Sequence, residues 1–188
     1  GDLAEEMVKF CQDQGGILTL EDMATFRVKL EPPLWGSYKG IDVATCGVWC
    51  QGPLLIELLH MLEGFDLQSM GYNSADYIHT LLEVFKLGFS DRHTYYGDPE
   101  FVDVPIEGLI SKLFAKSRCV DIDNQLASSE MPLPGNPWAF QSGTSHNRAM
   151  DRPIPTSGGL GEDTSYTCVV DKWGNVFSAT PSDTFDST

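Results

Sequence analysis

Apolar residues recur at helical spacing in several parts of this chain, and Gly and Pro mark the ends of each run. Leu3, Met7, Val8, Phe10 and Cys11 predict an amphipathic helix over residues 2–14, stopped by Gly15-Gly16. Thr19 and Asp22 stand at the spacing of a capping box, so a short helix follows through Met23 to Phe26. Residues 27–30 alternate as a strand does and meet Pro32-Pro33, and residues 38–45 predict a second strand. LLIELLHML, residues 54–62, is a strongly apolar helix that ends near Gly64. Ser74 caps a long helix from Ala75 to about Phe89, with Tyr77, Ile78, Leu81, Leu82, Val84, Phe85 and Phe89 on a broad apolar face. Asp91-Arg92-His93 reads as an ion-paired helix end whose cations complement the helix dipole. One further helix is predicted from Pro105 to about Arg118.

The pattern then changes. Residues 124–163 are rich in Pro and Gly and show little periodicity, which predicts a long linker, mobile or extended. Two β-rich stretches follow, Thr164 to Asp171 and Val176 to Thr180, joined by a turn at Lys172 to Asn175. The chain is therefore expected to be α+β: mostly helical over residues 1–123, a linker over 124–163, and a β-hairpin over 164–188. A hairpin alone is marginal in water, so these strands must pack on the helical part or belong to a larger sheet. Together with an N-terminus that lacks Met, this predicts an internal piece of a longer chain.

Composition narrows the partners. The 188 residues are 41% hydrophobic and 11% aromatic, as in ordinary globular proteins, and carry a formal charge of -15. So acidic a chain repels phosphate backbones, which argues against nucleic acid and anionic membranes as partners. No apolar run approaches the length of a membrane span, and no signal peptide opens the sequence, so the compartment cannot be read. The five cysteines are odd in number and scattered, against a disulfide framework. Cys46 and Cys50 form a C-x3-C pair with no second Cys or His pair nearby, and are expected to be two small buried thiols rather than a metal site. His60 is expected to be packed or solvent-facing rather than catalytic. No metal or organic cofactor is implied.

The candidate chemistry lies at Asp163-Thr164, where the linker meets the first strand. A threonine hydroxyl is a poor nucleophile at neutral pH unless a base is held beside it. If the bond before Thr164 is cut, the freed α-amine is that base, with a reference pKa of about 7.7 to 8.0. The hydroxyl itself can make the cut: it attacks the Asp163 carbonyl, an ester forms, and water hydrolyses the ester.

Several blocks in one order carry a resemblance along nearly the whole chain: GDLAEEMV, GGILTLEDMATFRV, LLIELLHMLEGFDL, GYNSADYIHTLLEVFKLGFSDRHTYYGDPEFVDVP, LISKLFAKSR and TSYTCVVDKWGNVFSAT. They resemble the γ-glutamyltranspeptidase (γ-glutamyltransferase) family of the N-terminal-nucleophile hydrolases. The resemblance implies a four-layer αββα fold and a precursor that cuts itself into a large and a small subunit, the small one beginning with the nucleophilic threonine. Thr164 matches that residue. Thr180 and Ser182 fall on the two threonines of the family's T-x-T-x-N stretch, which makes Ser182 the hydroxyl partner of the nucleophile. Thr184 falls where the family has an asparagine that helps hold the substrate's α-carboxylate.

This chain departs from the pattern at Ser165 and Tyr166, at Pro181 and Asp183, at Thr184, and at CGVWCQGP, where typical members have P-P-P-S-S-G-G. The implied substrate is a small-molecule γ-glutamyl compound or another amide. An amidase or acylase of different acyl specificity, or a non-catalytic binding or scaffold homologue, are the alternatives. The family's substrate-carboxylate arginine and its oxyanion-hole glycines align outside these 188 residues, so activity is expected of the full-length parent and not of this stretch alone.

Overall fold

The computed structural model describes residues 1–142, 162–180 and 182–184. The chain forms two compact units, Gly1–Met150 and Asp151–Thr188.

In the first unit, helix α1 (Asp2–Asp13) and helix α2 (Leu20–Thr25) lie at the start. The capping box at α2 forms: Thr19 Oγ1 accepts from the Asp22 N–H at 3.1 Å, and the Asp22 carboxylate accepts from the Thr19 N–H at 2.8 Å. Residues 27–30 make no strand, and Leu30 is fully exposed. A strand needs a partner, and Pro32-Pro33 have no N–H groups to offer one. The stretch expected to be a single strand over 38–45 is instead the second half of a hairpin, β1 (Leu34–Tyr38) and β2 (Ile41–Thr45), paired from Leu34 with Thr45 to Tyr38 with Ile41. The two-residue turn is Lys39-Gly40, with φ of 48° and 84°. Two successive positive φ values match the right-handed twist of paired strands. Lys-Gly carries that geometry less visibly in sequence than Asn-Gly does.

Helix α3 (Gly52–Leu62) is the centre of this unit, with Pro53 in its first turn. The short α4 (Leu67–Met70) precedes the long α5 (Ala75–Tyr95), and Ser74 caps α5 by accepting from the Tyr77 N–H at 3.1 Å. Two apolar clusters flank α3. One joins Leu54 to Tyr95, Tyr96, Leu109 and Phe114; the other joins Met61 and Leu62 to Val84, Leu87 and Ala115. Each fully buried Ile, Leu, Met or Phe here contributes about 1.5–3 kcal/mol relative to exposure. Ile56 of α3 sits directly over Gly36 of β1, where any Cβ would collide with it.

The helix expected from Pro105 to Arg118 is two: α6 (Ile106–Leu109) and α7 (Lys112–Arg118). Ser111 separates them and caps α7, accepting from the Phe114 N–H at 3.5 Å. The long helix α5 runs past Phe89 to Tyr95. Arg92 and His93 lie in its last turn, as expected of cations at a helix C-terminus, but Asp91 is fully buried and pairs with Arg118 of α7 rather than with them.

Residues 124–142, expected to be part of a mobile or extended linker, hold no regular element before Pro137, and they dock on the helices. Ser90 donates to the Pro132 carbonyl at 2.6 Å, Arg118 to the Leu133 carbonyl at 2.9 Å, and Tyr95 to the Gly135 carbonyl at 2.7 Å. A 3-10 turn, Pro137–Phe140, lays Trp138 and Phe140 against the first cluster. Residues 143–161 of that linker lie outside the described residues, and its last two, Glu162 and Asp163, already belong to a strand that was expected to begin at Thr164.

The second unit is a hairpin. Strands β3 (Glu162–Thr164), β4 (Thr167–Val170), β5 (Val176–Ala179) and β6 (Ser182–Thr184) pair antiparallel as β4 with β5 and β3 with β6. Both ladders keep one register, from Val170 opposite Val176 out to Glu162 opposite Thr184. No helix among the described residues is long and apolar enough to cross a membrane.

Candidate active site

The register of the hairpin places the predicted residues. Thr164 is the direct cross-strand partner of Ser182, Asp163 of Asp183, and Glu162 of Thr184. Thr184 thus pairs with a residue upstream of the Asp163-Thr164 bond, while Ser182 pairs with the threonine itself. Thr180 follows the last residue of β5 and is exposed.

The local sequence explains why the hairpin closes at this register. At the turn, the Asp171 carboxylate accepts from the Trp173 N–H at 2.9 Å, the Asn175 N–H at 2.9 Å and the Asn175 side-chain amide at 2.7 Å. Gly174 takes φ of 84°, a conformation that favours glycine. The Asn175 hydrogen bond, helped by the backbone donors, holds the Asp171 carboxyl below its usual range. The motif D-K-W-G-N therefore sets the turn, and the turn sets which residue faces Thr164. Between the two ladders the pairing lapses at Ser165 and Tyr166. Tyr166 is exposed, and its hydroxyl accepts from Ser178 Oγ at 3.1 Å.

A second polar cluster is buried in the first unit. Arg118 Nε lies 2.7 Å from Asp91 Oδ2, and the Gly135 N–H donates to Asp91 Oδ1 at 2.6 Å. Glu57 of α3 is fully buried beside them; its Oε2 accepts from the Tyr96 hydroxyl at 3.2 Å. Burial first, and then the neighbouring Asp91 charge, push the Glu57 carboxyl well above its usual range. Burial also raises the Asp91 carboxyl, opposed chiefly by Arg118. The Arg118 guanidinium and the Gly135 N–H favour the charged form of Asp91, whereas Glu57 has, among the described residues, only the Tyr96 hydroxyl as donor. Sequence reading missed this cluster, although Glu57 is the one acidic residue inside an otherwise apolar helix.

His60 is a packing residue: Nδ1 lies 2.8 Å from the Ile110 carbonyl oxygen, and burial lowers its proton affinity. Cys46 is exposed and Cys50 half-buried, so neither is the buried thiol expected from the sequence. Among the described residues, no group of three or more His, Cys, Asp or Glu is arranged to hold a metal ion.

Comparison with known proteins gives the class first. The crystal structure of Helicobacter pylori gamma-glutamyltranspeptidase matches 77% of this chain and 42% of that one, with a TM-score of 0.68 and 32% identity. That of cephalosporin acylase from Bacillus halodurans matches 73% of this chain and 25% of that one, with a TM-score of 0.64 and 31% identity. The fold is therefore that of the N-terminal-nucleophile hydrolases.

Sequence comparison specifies the family. The family model described as gamma-glutamyltranspeptidase matches residues 1–187, and the chain belongs to that family. The glutathione hydrolase proenzyme of Bacillus subtilis subsp. natto is 32% identical over 183 residues, covering 96% of this chain and 30% of that protein. The acylase ACY 1 proenzyme of Pseudomonas sp. (strain SE83) is 32% identical over 181 residues, covering 96% and 28%. The chain spans less than a third of the length of these two relatives.

Proposed function

We propose that the protein containing this chain is a self-processing amide-bond enzyme in which Thr164 is the nucleophile. The backbone breaks between Asp163 and Thr164: the Thr164 hydroxyl adds to the Asp163 carbonyl, the C–N bond breaks to give an ester and a free α-amine, and water hydrolyses the ester. Residues 1–123 then form the helical part of a large subunit, 124–163 the processing linker, and 164–188 the start of a small subunit. In turnover the α-amine takes the hydroxyl proton as the oxygen attacks a substrate amide. The amine product leaves with a proton, and water or a second amine releases the acyl group. Ser182 positions the nucleophile by hydrogen bonding, and Thr184 contacts the substrate.

The observation that carries this reading is the pairing of Thr164 with Ser182 in a chain that matches the family through residue 187. Direct partners on an antiparallel ladder lie on the same face of the sheet. The word "proenzyme" in both relatives' names supports processing, and the pair of glutathione hydrolase and acylase supports an amide substrate.

Kinetics of the full-length protein on a γ-glutamyl anilide and on an acyl amide test it. Thr164→Ala abolishes turnover of both. The wild type loses activity as pH falls through about 8, because the α-amine must be neutral to act as base. Undiminished turnover in Thr164→Ala overturns the proposal. A second reading, an acylase of different specificity, rests on Thr184 standing at the family's substrate-binding asparagine. A preference for the acyl amide selects it.

A further inference from the structure

The end of α3 carries two titratable side chains that the proposed reaction does not use. Ile56, His60 and the capping residue Glu63 stand at i, i+4 and i+7, one stripe of the helix, and this stripe follows the hairpin residue by residue. Ile56 lies over Gly36, the Ser37 N–H donates to His60 Nε2 at 3.5 Å, and the Lys39 N–H donates to Glu63 Oε1 at 2.7 Å. The same two side chains also reach the other way. His60 Nδ1 donates to the Ile110 carbonyl at 2.8 Å, just past α6, and Lys112 Nζ of α7 donates to Glu63 Oε2 at 2.7 Å. Each side chain therefore ties the β1–β2 hairpin to the α6–α7 segment through the end of α3.

We infer that His60 and Glu63 form an acid-sensitive latch, which holds the β1–β2 hairpin against α3 at neutral pH and releases it as pH falls. His60 faces one N–H and one carbonyl oxygen, so its site accepts only the neutral ring with the proton on Nδ1. A second proton, on Nε2, meets the Ser37 N–H donor against donor. Glu63 accepts on both oxygens, and protonation removes its charge-assisted bond to Lys112. Burial is the main cause of the lowered proton affinity of His60; the Ile110 carbonyl and Glu63 oppose it, and Lys112 adds to it. The Lys112 hydrogen bond, followed by the Lys39 N–H, holds Glu63 below its usual range. β1 carries no charged side chain, Asp42 of β2 is the ladder partner of Ser37, and α6 carries Glu107. The unfolded chain binds both protons more readily than the folded one, so acid favours release. Loss of the His60 bridge begins below the ordinary histidine value of 6.5, and that of the Glu63 bridge below 4.5.

The test is hydrogen exchange of the full-length protein, read by mass spectrometry at about pH 7.5 and about pH 5 and corrected for the intrinsic rate at each pH. Protection of the peptide spanning residues 34–39 falls about fivefold at the lower pH, the effect of one neutral hydrogen bond, while the middle of α5 is unchanged. The fall is absent in His60→Gln, whose side-chain amide offers one donor and one acceptor and does not titrate. It persists in Glu63→Gln, because Glu63 is still ionised at the lower pH. Histidine-selective 15N spectra of the wild type report the tautomer without any variant, and a proton on Nδ1 is expected at neutral pH. An Nε2–H tautomer at His60, unchanged protection in the wild type, an equal fall in His60→Gln, or an equal fall across α5 overturns the inference. Thr164 takes no part in the outcome.

Discussion

The two units of this chain are held in opposite ways. In Gly1–Met150 the decisive contacts are buried and distant in sequence: α3 lies between α5 and α7, and Asp91 meets Arg118 across 27 residues. In the hairpin the decisive contacts are exposed and local. The Asp171 carboxylate serves donors within four residues, while Val169, Val170, Val176 and Phe177 stay more than half exposed. The first kind of contact sets stability and the second sets register. A buried ion pair missing one partner leaves an uncompensated charge, whereas a turn missing its aspartate loses a weakly held geometry. The candidate nucleophile belongs to the second kind, and its register opposite Ser182 is set by the turn.

The largest effect that separates the two units is expected at Asp91. Asp91→Ala leaves the Arg118 guanidinium buried without its carboxylate and costs about 3–5 kcal/mol in denaturant unfolding of the full-length protein. Glu57→Gln costs far less, because the Gln side chain keeps an acceptor for the Tyr96 hydroxyl at nearly the same volume. A large loss in Glu57→Gln shows that the carboxyl group itself is required there.

A smaller effect is expected at Gly108, where a Cβ would collide with the Pro137 carbonyl oxygen. Backbone cannot yield as a side-chain tip does, so Gly108→Ala costs about 1–3 kcal/mol and speeds amide exchange at residues 137–141. Unchanged exchange there shows that the segment is not docked by this contact. The smallest effect is at Thr19, where Ala removes the hydroxyl that caps α2 and costs about 1 kcal/mol.

Legibility in the sequence followed the same division. The capping box at Thr19, the cap at Ser74 and the turn at Asp171 to Asn175 rest on residues a few positions apart, and all were readable. The separation of α6 from α7 at Ser111 was a local signal overlooked, since Ser111 is an ordinary cap. Asp91 was placed correctly near a helix end but given the wrong ion-pair partner, because nothing near it in sequence points to Arg118. The docking of residues 124–142 was also invisible. Its hydrogen bonds come from Ser90, Tyr95 and Arg118, and composition alone favours a free linker. At the candidate site, Thr164 and Ser182 came from resemblance to a family. Their pairing required the register, which the turn motif implies only when counted outward from Trp173.

The most direct test is the intact mass of the full-length protein. The account predicts two polypeptides, one ending at Asp163 and one beginning at Thr164, and a single uncut chain in Thr164→Ala. A wild-type protein that hydrolyses amides while residues 163 and 164 remain joined contradicts it.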